Sequence, residues 1–395
     1  MFWPLIDDVT FSKSCIKVLS MMKKYVYLLL CIFLVAGINS CKKDEEDIPE
    51  PVVKMVNTIP EFYKESREGE YATKAPQIRQ IANSQFELDN PQDFDFHPMR
   101  PNEIWIINKG TEGTGGNTII LQKAGEVDQS YLSRKDGNAW HFMSLPSGMA
   151  FSENGNWANS ANVLDANHSG GSYTGPALWS GDLNIFAKPS GGNGSHLDMV
   201  HQSPYTMGIA AEKDNVFWVF DGYYGNIIRY DFVEDHGPGN DYHGDARLRR
   251  YTEVSVKRNP DVPSHLILDE QKKWLYIVDG GNKRILRMDI TTGMVSMSLP
   301  PIDEDLAEYS RMKDVVWESV IDKNLENPCG IEVSANRLFV SDYANGDIIC
   351  YDLNTRQELG RLKTGKPGIT GIKLYNGKLW YLNALENTCN VVEPQ

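Results

Sequence analysis

Cysteine is scarce: six in 395 residues. Cys15 and Cys31 lie in the first forty residues and Cys41 ends a signal-like tract, which leaves Cys329, Cys350 and Cys389. An odd number without a close CxxC pair implies no disulfide framework. Basic charge is in the minority as well, 39 Lys and Arg against 53 Asp and Glu, for a net charge of -14. Such a surface has no general attraction for nucleic acid or anionic lipid. Long apolar runs are also missing. The one extended run, residues 25–37, is about a dozen residues and too short to span a bilayer. Nucleophile-elbow, phosphate-loop and HExxH sequences do not occur either.

Glycine (33), proline (20) and aromatic residues (10%) are plentiful, against 41% apolar and 23% charged residues. This is the composition of a globular chain with many turns. The apolar run follows Lys23 and Lys24 and leads into Ile38-Asn39-Ser40-Cys41, the layout of a secretory signal. The tract resembles a lipoprotein signal, in which a small residue precedes a cysteine that is lipidated and becomes the new N-terminus; that resemblance assigns Cys41 to lipid. An ordinary secretory signal with an incidental cysteine is the alternative. Twenty residues containing Asp7 and Asp8 precede the basic patch, which points to Met21 or Met22 as the true start. After Cys41 comes Lys42-Lys43-Asp44-Glu45-Glu46-Asp47. It resembles the acidic tag of surface-directed lipoproteins in some Gram-negative bacteria, and reads equally as a solvated tether. The expected organisation is a signal over 1–40, a lipid tether and linker over 41–76, and one domain over 77–395. The expected location is the outer membrane, facing the cell surface or else the periplasm.

Within 77–395 one pattern recurs: a proline, a few small residues, an alternating apolar strand, a polar turn, an aromatic-rich strand ending in Asp or Asn, and a third strand. The clearest copies are PYTMGIAAEKDNVFWVFDGYYGNIIRYD from Pro204, PSHLILDEQKKWLYIVDGGNKRILRMD from Pro263 and PCGIEVSANRLFVSDYANGDIICYD from Pro328. Looser copies begin at Pro91, Pro146 and near Pro367. Short β-branched and aromatic runs bounded by Gly, Asn and Asp are strands, and the spacing is that of propeller blades with insertions. The fold expected is all-β: a six-bladed β-propeller of four-stranded antiparallel blades. A seventh blade would have to hide in an insertion. The last copy stops after its third strand, and the strand-like segment 77–86 precedes the first, so the N-terminal strand is expected to pair near Cys389 and Val392 and close the ring.

Pro-x-Gly-apolar, then apolar-apolar-x-Asp, then Asn-x-x-Ile resembles the NHL repeat of six-bladed propellers. That family implies a scaffold, a ligand binder or an enzyme.

In such blades the loop before the first strand and the loop after the second open on one face. That geometry gathers Asn108, Ser147, Tyr205, Asp221, Tyr223, Ser264, His265, Asp279, Cys329 and Asp342 as a ligand-binding funnel. The strand-ending aspartates serve either to hold the next turn or to bind a cation. His201 and His265 fall at the same mouth, with His168 in a Gly-rich insertion nearby. With an aspartate or the Cys329 thiolate they form a candidate zinc site, or they only make hydrogen bonds. The insertion at 234–245 follows a third strand, so topology sets it on the opposite face. It is either a second ion loop through Asp235, His236, Asp241, His243 and Asp245, with calcium the candidate, or a solvated turn. Peptidyl-hydroxyglycine lyases are similar propellers, and the resemblance implies zinc on blade-start histidines with an arginine and a tyrosine at the substrate; here only His265 is near such a position. Two readings follow. One is an envelope lipoprotein whose funnel takes a small molecule, a peptide or an envelope protein. The other is a metal-dependent lyase or hydrolase with Tyr205, Asp221 and Tyr223 as candidate acid/base groups.

Overall fold

The computed structural model describes residues 76–188, 192–240, 242–302 and 304–393; Cys41 and its flanking tract lie outside the described residues. Strand β1 (Gln77–Ala82) comes first. Blade 1 is then β2 (Pro91–Phe96), β3 (Ile104–Thr111), β4 (Gly115–Gln122) and β5 (Ser130–Arg134), and blade 2 is β6 (Pro146–Phe151), β7 (Asn156–Ala161), β8 (Ala177–Ser180) and β9 (His196–Met199). Blade 3 is β10 (Thr206–Lys213), β11 (Val216–Asp221), β12 (Asn226–Asp231) and β13 (Arg247–Tyr251). Blade 4 runs β14 (Leu266–Asp269), β15 (Trp274–Asp279) and β16 (Arg284–Asp289). Its chain then makes the hairpin β17 (Met294–Ser298) and β18 (Glu308–Lys313) before the outer strand β19 (Trp317–Ile321). Blade 5 is β20 (Pro328–Ser334), β21 (Arg337–Asp342), β22 (Asp347–Asp352) and β23 (Glu358–Lys363). Blade 6 is β24 (Ile369–Tyr375), β25 (Lys378–Asn383) and β26 (Thr388–Glu393), completed by β1. The innermost strands β2, β6, β10, β14, β20 and β24 touch in sequence, and β24 returns to β2. The chain is therefore a six-bladed β-propeller, and every expected repeat start leads into an innermost strand.

Each blade buries both of its faces because strand side chains alternate. In β11, Phe217 and Val219 join an apolar cluster with blade 2, while Trp218 and Phe220 join another with blade 4. Among the described residues six such clusters form, one per blade interface. Closure follows the expected scheme. Strand β1 pairs antiparallel with β26, Gln77 opposite Glu393 and Ala82 opposite Cys389. The strand ends at Ala82, however, and Ser84–Phe86 forms a 3-10 turn capped by Asn83. Blade 3 carries an extension the repeat did not announce. The β17–β18 hairpin of blade 4 lays β18 parallel to β13, making a six-stranded sheet.

Around the axis, the equivalent positions two residues after Pro91, Pro146, Thr206, Pro263, Pro328 and Ile369 hold Asp93, Gly148, Gly208, His265, Gly330 and Gly371. The glycines are there for close approach. A Cβ on Gly208 would lie 2.1 Å from the Ser264 carbonyl oxygen, and one on Gly330 2.2 Å from that of Thr370. Gly208→Ala and Gly330→Ala are each expected to destabilise the protein by about 1–3 kcal/mol through overpacking. Gly137→Ala, which meets nothing within 4 Å, is expected to stay within about 0.5 kcal/mol; urea midpoints measure all three.

Candidate functional site

Of the ten funnel residues expected from the repeat, Asn108, Ser147, Asp221, Ser264, His265, Asp279, Cys329 and Asp342 are buried. Tyr205 is half-buried and Tyr223 is 52% exposed. The strand-ending side chains have structural partners. Asp342 accepts backbone N–H bonds from Glu326, Asn327 and Ala344. Asp279 accepts from Lys257 N and from the Arg284 guanidinium at 2.6 Å. Asp221 accepts from Tyr223 N and Tyr224 N and is paired with Arg250 at 2.6 Å. Asn108 accepts from Asp89 N and donates to Glu87 O. Each ties the chain entering its blade, or the adjoining turn, to the second strand, the use that repeated strand-end carboxylates and amides commonly have. Tyr205 carries the Arg258 guanidinium 3.8 Å above its ring. Cys329, Cys350 and Cys389 are buried thiols, and burial pushes the Cys329 thiol well above its ordinary value, against a thiolate ligand.

His265 occupies a glycine position of the inner ring and fills it. Its Nε2 lies 3.0 Å from the Ser147 carbonyl oxygen of blade 2, and its Nδ1 lies 3.7 Å from Asp93 Oδ1 of blade 1, the other non-glycine of the ring. Asp93 in turn accepts from Phe94 N and Met149 N. Blades 1 and 4 are opposite one another, so the two side chains meet across the axis and close it.

Beyond this plug, toward the hairpins joining first and second strands, an axial cavity of about 400 Å³ opens, lined from all six blades. This cavity lies at the end of the ring opposite the face on which the funnel was expected. Two residues beyond each member of the inner ring come Asp95, Ala150, Ala210, Ile267, Glu332 and Lys373, all lining the cavity. Lys373 Nζ lies 3.9 Å from Asp95 Oδ1. Burial works against the Lys373 ammonium, but Asp95, Asp93 and Glu332 outweigh it and hold its pKa above the usual lysine value. Asp95 accepts from Phe151 N and Phe96 N, and Glu332 accepts from Val333 N and Leu374 N. At the rim Phe96 stacks on Tyr375 with ring centroids 3.8 Å apart. These charges were visible in the sequence, each flanked by apolar residues two positions after the ring: Phe94-Asp95-Phe96, Ile331-Glu332-Val333 and Ile372-Lys373-Leu374.

Burial raises Glu332 to about 7 from an ordinary 4.5, with Lys373 opposing. The folded state thus holds this proton more tightly than the unfolded chain. Its contribution to stability is present in full below about pH 4.5 and is lost as pH rises to about 7. Glu332→Gln is expected to remove a decline on the order of 2 kcal/mol between pH 4.5 and 8, read from urea midpoints of both proteins across that range.

The remaining histidines gather elsewhere. His201, in the segment entering blade 3, has Nδ1 2.8 Å from Glu304 Oε2 of the β17–β18 hairpin. Its ring stacks on Tyr173 at 3.6 Å, with His141 at 5.6 Å and His243 at 6.0 Å. None of these groups contacts His265, so the structure does not bring His201 and His265 together for one ion. The physical reason is the blade 4 hairpin, which reaches over blade 3 and takes His201 as a partner for Glu304, while His265 is spent on the axis. His168 lies 5.9 Å from the Trp140 ring. The 234–245 insertion does not stay apart from the His201 side, as topology led one to expect. It folds back onto blade 2, with Gly239 N donating to His196 O and His243 Nδ1 2.5 Å from Asp198 Oδ1. Asp235 accepts from Gly237 N in a local turn, and His236 Nε2 lies 2.9 Å from Asp245 Oδ1; Asp241 lies outside the described residues.

These features define a propeller with a charged axial cavity and an outlying histidine–carboxylate cluster. Neither a protein-family model nor a curated protein matches the chain. Solved structures of similar fold include an auxiliary nutrient binding protein from Bacteroides thetaiotaomicron, 8% identical at a TM-score of 0.53, covering 82% of this chain and 78% of that one. Another is an auxiliary nutrient binding protein from Bacteroides ovatus, 12% identical at a TM-score of 0.51, covering 78% and 70%. A third, from Bacteroides thetaiotaomicron and of unknown function, is 10% identical at a TM-score of 0.50, covering 82% and 78%. At these identities the likeness is one of fold.

Proposed function

We propose that the protein is an envelope lipoprotein whose propeller binds a small hydroxyl-bearing solute, of the sugar class, in the axial cavity. The observation that carries this reading is the cavity. At about 400 Å³ it falls in the range of small-molecule sites. It offers a lysine donor and two carboxylate acceptors against apolar and aromatic walls, a combination that hydrogen-bonds hydroxyl groups and covers a sugar ring's apolar face. The role described for the two Bacteroides auxiliary nutrient binding proteins supports this reading. The lyase-like alternative needed His201 and His265 on one ion. The signal-like tract ending at Cys41 supports the anchor, and the acidic residues after it support an outward-facing position.

Calorimetric titration with a panel of mono- and oligosaccharides tests the cavity. At least one is expected to bind, with Lys373→Ala weakening it tenfold or more and Ala210→Trp, which fills the cavity, abolishing it. A panel without a binder, or undiminished binding by Ala210→Trp, overturns the reading. For the anchor, Cys41→Ala is expected to move the protein from the membrane to the soluble fraction. Protease treatment of whole cells separates a surface from a periplasmic position.

A further inference from the structure

We propose that Asp198, His236 and Asp245 form a binding site for a divalent transition-metal ion of the zinc class, which fastens the 234–245 insertion of blade 3 to the outer strand of blade 2. The three residues offer ligand atoms that all lie within 4.8 Å of one another. They come from two places distant in sequence: Asp198 from β9, His236 and Asp245 from the two ends of the insertion. The arrangement differs from an ion loop read along the sequence, because its buried member belongs to another blade and Asp235 is engaged in its own turn.

The second observation is Asp198 itself. The residue is fully buried, one carboxylate oxygen faces His243 Nδ1, and the other, Oδ2, is buried with no hydrogen-bond partner. A buried carboxylate oxygen without a partner is costly, and a cation beside it removes that cost. Ligand type sets the class of ion. Calcium and magnesium take oxygen ligands almost alone, whereas one imidazole with two carboxylates suits zinc and its neighbours. Zinc needs its ligand atoms about 2.0–2.2 Å away, so Asp198 and the insertion pair must close by an ångström or so, while His236 and Asp245, 2.9 Å apart, exchange their mutual contact for the ion. His243, holding the first oxygen of Asp198, orients that ligand from behind as partners of metal-bound carboxylates commonly do. Three protein ligands leave a position for water.

The test uses chelator-stripped protein titrated with Zn²⁺ alone, followed by calorimetry and by elemental analysis after gel filtration. One ion per chain is expected, with His236→Ala and Asp198→Asn each weakening binding by about 10–100-fold and His168→Ala, outside the cluster, binding as wild type. His236→Gln, a change in the exposed insertion, keeps the test valid if the buried Asp198→Asn variant does not fold. Failure of stripped protein to take up zinc, uptake unchanged by the His236 variants, or a preference for Ca²⁺ over Zn²⁺ would overturn the site.

Discussion

Replacing Arg250 with methionine is expected to cost about 3–5 kcal/mol of folding stability, because it strands a buried charge. Arg250 is buried in β13, where its guanidinium donates to Asp221 Oδ2 at 2.6 Å, to Asn226 Oδ1 at 2.9 Å and to the Gln202 carbonyl at 2.8 Å, while its Nε donates to the Tyr309 hydroxyl. Tyr309 belongs to β18, so one side chain joins the third blade, the segment entering it and the borrowed hairpin. Asp221, fully buried, would be left without its counter-charge. The double variant Arg250→Met/Asp221→Asn is expected to recover part of the loss, since it removes both charges together. Urea denaturation of the two single variants and the double gives the coupling directly. A double variant as unstable as the sum of its parts would show that Asp221 is not held by Arg250.

Removing residues 77–82 is expected to abolish the folded monomer. Strand β1 contributes Ile81 and Ala82 to the cluster between blades 6 and 1, and Arg79 pairs with Glu393 across the closing ladder at 3.0 Å. Arg79 and Lys378 together hold the Glu393 carboxyl down at about 2. Without β1, strand β26 becomes an open edge carrying Cys389, Val391 and Val392, which are fully buried in the closed ring, and open apolar edges pair with other chains. Size-exclusion chromatography is expected to show soluble aggregate in place of monomer. A monodisperse truncated protein would mean that the ring is held shut by something other than this strand.

The fold was legible because propeller blades repeat. Six starts at Pro91, Pro146, Pro204, Pro263, Pro328 and near Pro367 each led into an innermost strand, and the missing fourth strand of blade 6 announced the closing segment. What repetition could not disclose is what breaks it. The β17–β18 hairpin belongs to blade 4 in sequence and to the blade 3 sheet in space, and Glu304 beside it decides what His201 touches. For a related reason the cavity charges were not singled out. Strand-end residues such as Asp279 and Asp342 are conspicuous in the repeat, yet the backbone needs them for its own turns. The cavity charges differ from blade to blade, and Asp95, Glu332 and Lys373 show as departures from an apolar pattern. The histidines of the insertion meet Asp198 only through a fold-back that no local spacing encodes.

The His265–Asp93 closure makes the axial cavity a cul-de-sac. On the proposed reading, a solute that enters between the hairpins passes Pro98, Pro101, Glu270 and Tyr375, which line the cavity on that side, and leaves the way it came. The two ends of the propeller are accordingly insulated from each other. A body resting over the hairpin end would trap or exclude whatever lies within. One resting on the opposite end would leave that traffic undisturbed, and the same molecule can be held in place and remain open for exchange.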